Sequence, residues 1–205
     1  VGDRFLFGEF EACLNLGGFA NISFEKNTQR VAFDVCPANF ILNLLSENEG
    51  LSYDKDGRLG REGTIENSLL QNLNHLPFFH EKPPKSLGRE WMEACFLPVM
   101  NAATISNRDK LRTAYEHIAL QVTRALPGKE KILVTGGGAL NAFLMERIKS
   151  LSSAEIVVPD QKIIEFKEAL IFAFLGLLRF LETINCYSSV TGSRKDNLGG
   201  LVFQG

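Results

Sequence analysis

Residues 12–34 of the chain read ACLNLGGFANISFEKNTQRVAFD. This stretch contains three short runs rich in Leu, Ile, Val and Phe, at Ala12–Leu16, Ala20–Glu25 and Arg30–Asp34. Gly17-Gly18 separates the first two runs, and the polar residues 26–29 separate the last two. Connections this short join adjacent antiparallel strands, so the stretch predicts a three-stranded meander.

A different pattern occupies the last part of the chain, where predicted strands alternate with predicted helices. The strands are Lys131–Thr135 and Glu155–Val158, and the helices are Asn141–Ser150 and the apolar Glu165–Leu181. This alternation indicates parallel strands joined by right-handed crossovers. A further helical pattern begins at Pro37, directly after the meander. Together these elements have the order of a ribonuclease-H-like α/β domain with a mixed five-stranded sheet and flanking helices.

The middle of the chain is helical in pattern. Apolar residues recur at helical spacing in three segments, which are Thr64–Leu76, Gly88–Val99 and Asp109–Ala125. Two polar stretches are predicted loops, at Glu49–Gly63 and Pro77–Leu87. We therefore expect a helical insertion, or a helical layer, at about residues 63–127.

Composition excludes several classes of protein. The 205 residues are 45% apolar and 22% charged, which is typical of a globular protein with one large domain or two small ones. The 22 basic and 24 acidic residues give a net charge of −2, whereas a nucleic-acid partner calls for a basic excess. No apolar run reaches the roughly 18–20 residues that cross a bilayer. We therefore expect neither nucleic acid nor a membrane as a partner.

The cysteines and histidines form no recognisable metal or redox motif. The four cysteines include no CxxC pair, and the three histidines have no metal-ligand spacing. Reduced thiols are the ordinary state in the cytosol, so we expect a cytoplasmic protein without zinc. The chain starts at Val1 instead of Met and has no signal peptide, which suggests a piece of a longer protein.

Two glycine segments are candidates for binding phosphate. One is residues 17–18, between two predicted strands, and the other is residues 136–138, between a strand and a helix. Glycine leaves backbone N–H groups open to an anion, and a helix N-terminus beyond a parallel strand is a common ligand site. Taken alone, the first segment indicates a plain hairpin turn. The second exceeds what close helix–strand packing needs, and it favours a nucleotide site.

Three further polar positions each have two interpretations. Asp34 ends a predicted strand, where its carboxylate could hold Mg²⁺ or could cap the helix that follows. Lys85 lies with Arg89 in a glycine-bearing loop that could meet phosphate, although a solvated loop is the commoner explanation. Glu168 lies at the start of the apolar helix, where the helix dipole alone favours acidic residues.

Seven segments resemble, in their order, the sequence pattern of the anhydro-N-acetylmuramic acid kinases. They are LNLGGFANISF, AFDVCPANFILN, YDKDG, PPKSLGREW, VTGGGALNAFLM, KEALIFAFLG and VTGSRKDNLGG. That family belongs to the sugar kinase/Hsp70/actin superfamily, in which each of two lobes contains a ribonuclease-H-like core. Members use ATP, Mg²⁺ and water to convert an anhydro sugar of recycled cell wall into N-acetylmuramic acid 6-phosphate. Water attacks the anomeric carbon, and the freed sixth oxygen takes the γ-phosphate.

The resemblance implies roles for individual residues. Gly17 and Gly18 would form the second phosphate turn, Asp34 would lie near the phosphates and the metal, and Glu168 would reach the sugar in the closed state. Gly136 to Ala139 would line the adenosine side. The full set of predicted cofactor-binding residues is Gly17, Gly18, Asn21, Asp34, Asn39, Lys85, Gly136, Gly137, Gly138, Ala139 and Asn141.

The match begins partway through the family's pattern. We therefore expect residues 1–205 to be the second, carboxy-terminal lobe, without the amino-terminal lobe that carries the water-activating aspartate. By itself this chain should be inactive, with no catalytic residue of its own. The family resemblance also implies a homodimer, for which the long apolar helix is a candidate seam.

One motif departs from the family's pattern. Val35 and Cys36 stand in the segment DVCPAN, where relatives commonly read DTGPGN with small or hydroxyl-bearing residues. This change motivates two alternatives, a non-catalytic actin-like module that serves assembly and a lobe of another sugar kinase.

Overall fold

Five strands form one mixed sheet with the order β3-β2-β1-β4-β5. The computed structural model describes residues 1–203. The strands are β1 (Ala12–Leu16), β2 (Phe19–Lys26), β3 (Gln29–Pro37), β4 (Lys131–Thr135) and β5 (Glu155–Val157). β2 is antiparallel to β1 and β3, whereas β4 is parallel to β1 and β5. This topology confirms the predicted ribonuclease-H-like fold.

Helices connect and flank the strands. The α-helices of the described residues are α1 (Gly2–Leu6), α2 (Asn39–Glu47), α3 (Arg58–Glu62), α4 (Asn67–Asn74), α5 (Arg89–Trp91), α6 (Leu97–Ala102), α7 (Asn107–Ala125), α8 (Ala142–Leu151), α9 (Gln161–Phe180) and α10 (Ser188–Thr191). A π-helical turn at Met92–Phe96 joins α5 to α6, and 3-10 turns lie at Lys55–Gly57, Pro77–His80 and Gly137–Leu140. Within residues 1–203, no helix is both long enough and apolar enough to cross a membrane.

Helix α7 joins the middle of the chain to the core of the sheet. Its residues Leu111, Tyr115, Ile118 and Val122 are fully buried and recur every three or four positions. The helix contacts α2, α8 and β3. It therefore belongs to the same hydrophobic core as the strands.

The helix predicted from Pro37 begins later, at Asn39. Pro37 is the last residue of β3. The N–H of Ala38 donates to the Gly18 carbonyl at 2.8 Å, and the N–H of Asn39 donates to the Gly17 carbonyl at 3.1 Å. These bonds hold residues 38 and 39 against the β1–β2 turn in place of helical hydrogen bonds, so α2 starts after the proline.

The predicted loop Glu49–Gly63 is wrong over its second half. That half forms the 3-10 turn Lys55–Gly57 and helix α3. The Asp54 carboxylate accepts the N–H groups of Leu59 and Gly60, each at 2.9 Å. These are donors that a first helical turn leaves without intrahelical partners, so Asp54 stabilises a helix too short to show a periodic pattern.

Helix α9 starts one turn earlier than the sequence indicated. The Asp160 carboxylate caps it by accepting the N–H of Lys162 at 2.7 Å. Glu165 and Glu168 consequently lie beyond the first turn. The helix dipole therefore does not account for Glu168.

Other boundaries differ by smaller amounts. The predicted helix Thr64–Leu76 shortens to α4, and Gly88–Val99 becomes the run of α5, the π-helical turn and α6. The predicted loop Pro77–Leu87 includes a 3-10 turn, and α1 was not predicted at all. Helix α1 has only five residues, which is too short for a periodic pattern.

Candidate functional site

The two glycine segments meet at one edge of the sheet. Residues 17–18 follow β1, and residues 136–138 follow β4. These strands are parallel neighbours, with Asn15 opposite Thr135. Both turns therefore leave the sheet at the carboxyl ends of adjacent parallel strands, where open α/β sheets bind ligands.

The three glycines of the second turn serve different purposes. Gly136 has a φ of 83°, and a Cβ there would lie 2.6 Å from Oδ1 of Asn15. A Cβ on Gly138 would lie 2.8 Å from the Cβ of Leu16. At Gly137, the nearest atom would be 3.6 Å away. Close packing against β1 thus explains two of the glycines and leaves Gly137 as the open one.

Asn39 ties the two turns together. Its Nδ2 donates to the Leu16 carbonyl at 3.0 Å, and its N–H bonds to the Gly17 carbonyl. Its Oδ1 would be 3.1 Å from a Cβ on Gly138. The N–H groups of residues 17–18 find no acceptor within the described chain, so they are available to a ligand.

Cavity A lies on one side of the second glycine turn and has a volume of about 520 Å³. Asn39, Gly137 and Asn141 of the predicted set line it, together with the loop 52–56 and Tyr115. The loop includes the first four residues of the YDKDG motif, residues 53–57, to which the sequence assigned no role.

A buried hydrogen-bond network fixes the floor of cavity A. The Tyr115 hydroxyl donates to Asp54 Oδ2 at 3.1 Å, and Asn141 Nδ2 donates to the Tyr115 oxygen at 2.9 Å. Asn141 also caps α8 by accepting the N–H of Leu144 at 3.1 Å. Burial, assisted by the Asp54 charge, raises the pKa of Tyr115 well above its usual range, so the hydroxyl stays protonated.

Cavity B lies on the other side and has a volume of about 440 Å³. The predicted residues Gly17, Asn21, Gly136, Gly137 and Glu168 all line it. Gly137 lines cavity A as well, so the two cavities adjoin at this glycine.

A buried ion pair lies in the wall of cavity B. Lys167 Nζ is 2.9 Å from Asp3 Oδ1 and donates to Thr135 Oγ1 at 3.3 Å. The Ser23 hydroxyl donates to the other Asp3 oxygen at 2.6 Å. Burial raises the pKa of Asp3, but the Lys167 ammonium and the Ser23 hydroxyl outweigh it and hold that pKa below its usual value.

Asp34 faces a loop instead of either cavity. Its Oδ2 accepts the N–H of Leu87 at 2.7 Å, and its own N–H donates to the Lys85 carbonyl at 3.1 Å. Among residues 1–203, no three Asp, Glu, His or Cys side chains converge in a way that could hold a metal. Asp34 lines neither cavity, and its hydrogen bond to Leu87 fastens the loop before α5.

Lys85 and Ala139 also lie away from the cavities, and Gly18 and Gly138 line neither of them. Lys85 Nζ donates to the Phe78 carbonyl at 2.8 Å and lies 4.3 Å from the centre of the Phe78 ring. Burial there lowers the pKa of Lys85. Ala139 is buried in the hydrophobic core. The structure thus brings neither residue to a position that lines cavity A or B.

The departure from the family's motif is also internal. Val35 and Cys36 are both buried in the core, and neither lines cavity A or B. Burial strongly raises the pKa of the Cys36 thiol, so it is protonated and inert. The change from small residues therefore affects packing beneath the first glycine turn.

Sequence reasoning missed several residues of the two cavities. Thr135 and Lys167 line cavity B, and Asp54 and Tyr115 form the floor of cavity A. A lysine inside an apolar helical run was a usable signal for Lys167. Asp54 belongs to the segment YDKDG and Thr135 to VTGGGALNAFLM, whereas Tyr115 looks like an ordinary core residue of its helix.

Comparisons with known proteins identify relatives along nearly the whole chain. A family model described as "Anhydro-N-acetylmuramic acid kinase" matches residues 7–205. The enzyme of that name from Mannheimia succiniciproducens is 33% identical over 208 residues, covering 93% of this chain and 56% of the relative. The one from Sulfurovum sp. is 32% identical over 209 residues, covering 97% and 57%. The chain spans about half the length of the curated relatives it matches.

A solved structure shares the fold. Component A of (R)-2-hydroxyglutaryl-CoA dehydratase from Acidaminococcus fermentans superposes with a TM-score of 0.50 at 16% identity, over 82% of this chain and 62% of that one. The likeness concerns the fold alone, which is that of an actin-like ATPase lobe. Because the family match extends over residues 7–205, the chain belongs to the anhydro-N-acetylmuramic acid kinase family.

Proposed function

We propose that this chain is the carboxy-terminal lobe of a kinase that converts anhydro-N-acetylmuramic acid into N-acetylmuramic acid 6-phosphate with ATP and water. One observation carries the proposal. Gly137 borders both cavities, so a bound nucleotide can extend from cavity A past the glycine turns into cavity B. Phosphoryl transfer requires the attacking oxygen of the acceptor and the leaving oxygen of the nucleotide to lie roughly in line at the transferred phosphate.

In this proposal cavity A takes the adenosine of ATP. Its volume lies within the roughly 300–1,000 Å³ of ordinary small-molecule sites. Asn39 and Asn43 offer amide groups, and the half-exposed Tyr53 offers an aromatic face for the base. The phosphates then pass Gly137 and reach the free N–H groups of residues 17–18.

Cavity B takes the sugar. The carboxylate of Glu168 is exposed in its wall, and Asn21 contributes an amide. Such groups hydrogen-bond to sugar hydroxyls and fix the orientation of the ring. The base that activates the water is expected in the part of the relatives that this chain does not span.

Kinase chemistry implies Mg²⁺, which neutralises charge on the transferred phosphate. Because Asp34 is engaged by Leu87, we assign the ion no ligand in this chain. Asp34 instead positions the loop that carries Lys85.

The test is sugar-dependent release of ADP. This chain is expressed together with the amino-terminal part of the protein, and ADP is measured with and without anhydro-N-acetylmuramic acid. We expect Gly137→Ala to slow release by about tenfold or more, because its methyl group occupies the junction of the cavities. Gly176→Ala is the matched control, since a Cβ there meets no atom within 4 Å. A folded complex without sugar-dependent ADP release contradicts the proposal.

A second candidate is a module that serves assembly. The outer face of α9 favours it, because Phe166, Leu170, Leu177 and Phe180 are exposed along one side. In the kinase proposal the same face is the seam of a homodimer. Calorimetry with ATP separates the candidates: absence of binding by the whole protein favours the module.

We also propose that the protein is cytoplasmic. Its four cysteines are free, and the compartment that keeps thiols reduced is the cytosol. Attachment of a signal sequence that exports the protein provides the test, since an oxidising compartment should then give mispaired cysteines.

A further inference from the structure

The hydroxyl of Thr135 lies in the wall of cavity B in an unusual hydrogen-bonding state. Its oxygen accepts a proton from Lys167 Nζ at 3.3 Å. Within residues 1–203, the hydroxyl hydrogen itself finds no acceptor. Thr135 is only 1% exposed but lines cavity B, so a partner for this hydrogen has to come from the cavity. The Thr135 hydroxyl is therefore free to donate a hydrogen bond to a ligand.

A buried network of polar side chains fixes the position of Lys167. Asp3 neutralises its charge at 2.9 Å, and Ser23 and Arg30 support Asp3. Arg30 donates to the Ser23 hydroxyl at 2.7 Å and is itself buried. An ammonium has three donors and no acceptor, so it can only donate to Thr135 and can never take that residue's proton. The buried network therefore fixes the threonine as a hydrogen-bond donor.

The charge of cavity B favours an uncharged partner for this donor. Three carboxylates line the cavity, those of Asp3, Glu165 and Glu168, and Lys167 is already paired with the first of them. The excess of negative charge on this wall opposes a phosphate oxygen at Thr135, so the phosphates stay at the N–H groups of residues 17–18. It accommodates a hydroxyl or ether oxygen, which carries no net charge.

We propose that Thr135, fixed as a donor by Lys167, hydrogen-bonds to an oxygen of the sugar in cavity B. This inference rests on the proposed function, since it takes the sugar to occupy that cavity. Thr135 is then a residue that contacts substrate, and Lys167 is a positioning residue that acts through it.

The test compares sugar affinity among variants of the chain, each expressed together with the amino-terminal part of the protein and measured by NMR titration with anhydro-N-acetylmuramic acid up to millimolar concentration. Thr135→Val removes the hydroxyl at constant shape and should weaken sugar binding about threefold to tenfold, the size of one net hydrogen bond. Thr135→Ser keeps the donor and should stay within about twofold. Thr123→Val is the matched control, because that hydroxyl only bonds to carbonyls of its own helix.

The role of Lys167 is tested by coupling. Lys167→Met is made together with Asp3→Asn, so that no buried charge is left unpaired. This double variant should lose as much sugar affinity as Thr135→Val does. Adding Thr135→Val to the double variant should cause no further loss of sugar affinity. A structural role alone would give losses that multiply, and that result overturns the positioning role.

Each remaining outcome is also decisive. If the parent chain binds sugar and Thr135→Val binds it equally well, the inference fails while the proposed function stands. If Thr135→Val weakens binding of an ATP analogue but not of the sugar, the hydroxyl meets phosphate and the inference is overturned. If the parent complex with the amino-terminal part binds neither ligand, the proposed function fails and the inference fails with it.

Discussion

Gly136 and Gly137 are neighbours in sequence, but the reason for a small residue differs between them. Gly136 lies against the end of β1 with a positive φ, so a side chain there is excluded by the fold itself. Gly137 has room for a methyl group and borders both cavities, so only a ligand would exclude a side chain. The two substitutions should therefore separate stability from binding.

Gly136→Ala should destabilise the protein by about 2–4 kcal/mol, because a left-handed backbone and a contact of 2.6 Å both oppose the methyl group. Gly137→Ala should change the free energy of unfolding by less than about 1 kcal/mol and should weaken ATP binding. Urea unfolding and calorimetry measure the two effects. Equal stability losses in both variants would contradict the assignment of Gly137 to the ligand.

His117 is a titratable group that the fold keeps neutral. Its Nδ1 lies 2.9 Å from Asn74 Oδ1, and its ring packs on Phe79 and Phe96. Burial, with a smaller effect of Arg124, lowers the pKa of His117 from 6.5 to about 3. Between these values the unfolded chain binds a proton that the folded chain does not.

The free energy of unfolding should therefore fall as pH drops from 6.5 toward 3, with His117 contributing up to about 1.4 kcal/mol for each pH unit. His117→Phe fills the same space without a proton site and leaves Asn74 bonded to Gln121. Chemical unfolding at several pH values should give a flatter profile for the variant. The comparison above pH 7, where neither state binds the proton, is the internal control, and an unchanged slope below 6.5 would refute the argument.

At the scale of elements, α7 and α8 are joined by one carboxylate. Glu116 on α7 accepts from Arg147 Nε at 2.9 Å and from Arg147 Nη2 at 3.0 Å, and from Arg112 at 3.0 Å. Burial raises the pKa of Glu116, but these hydrogen bonds outweigh it and hold that pKa below 4.5. The charged form thus stabilises the packing of the two helices.

Glu116→Gln should lower the free energy of unfolding at pH 7 by about 1.5–3 kcal/mol, the value of hydrogen bonds to a charged group. Because the folded pKa is depressed, this stabilisation is present above pH 4.5 and is lost as pH falls through the folded pKa. The difference between parent and variant should shrink in acid. Glu93→Gln removes an exposed pair with Arg89 and should have little effect at any pH. A difference that persists at pH 2 would contradict the prediction.

Regular elements were predictable from the sequence, whereas elements set by distant contacts were not. The strands β1 and β4 have the bounds that their apolar runs predict, because four of the five residues in each are buried. Helix α3 depends on Asp54, and the start of α2 depends on carbonyls of the β1–β2 turn. Such partners lie outside any local window.

The site was predictable to a similar extent. The glycine turns are local signals, and the parallel order of β1 and β4 brings them together. Asp34 lines neither cavity because the loop before α5 folds back onto β3 and bonds to it, and Lys85 lines neither because its side chain bonds to the Phe78 carbonyl. Thr135 and Lys167 acquire their roles from each other, across 32 residues of sequence, and no motif records that pairing.

At the scale of the molecule, α9 divides the chain's surface into two kinds of face. Its inner side contributes Lys167 and Glu168 to cavity B. Its outer side exposes apolar residues along the length of the helix, and Phe180 is 76% accessible. Exposed apolar surfaces of this kind often mark sites where proteins associate. The partner can be a second copy of this chain or the part of the relatives that this chain does not span, since it covers about 56% of the Mannheimia relative.

If the outer face of α9 is the seam of a homodimer, a charge in its middle should dissociate the dimer without unfolding the protein. Leu177 is 52% exposed, so Leu177→Glu places a carboxylate in solvent in the monomer but in an apolar interface in the dimer. Light scattering should show a dimer at micromolar concentration for the parent chain and a monomer for the variant.

The control for this prediction is Leu151→Glu at the end of α8, which is another exposed leucine, 39% accessible, and lies away from α9. It should leave the mass unchanged, because a charge outside the interface meets water in both states. Equal thermal stability of the two variants would show that Leu177→Glu acts on association and not on folding. A parent chain that scatters as a monomer at all concentrations would refute the seam and would assign the apolar face to another occupant.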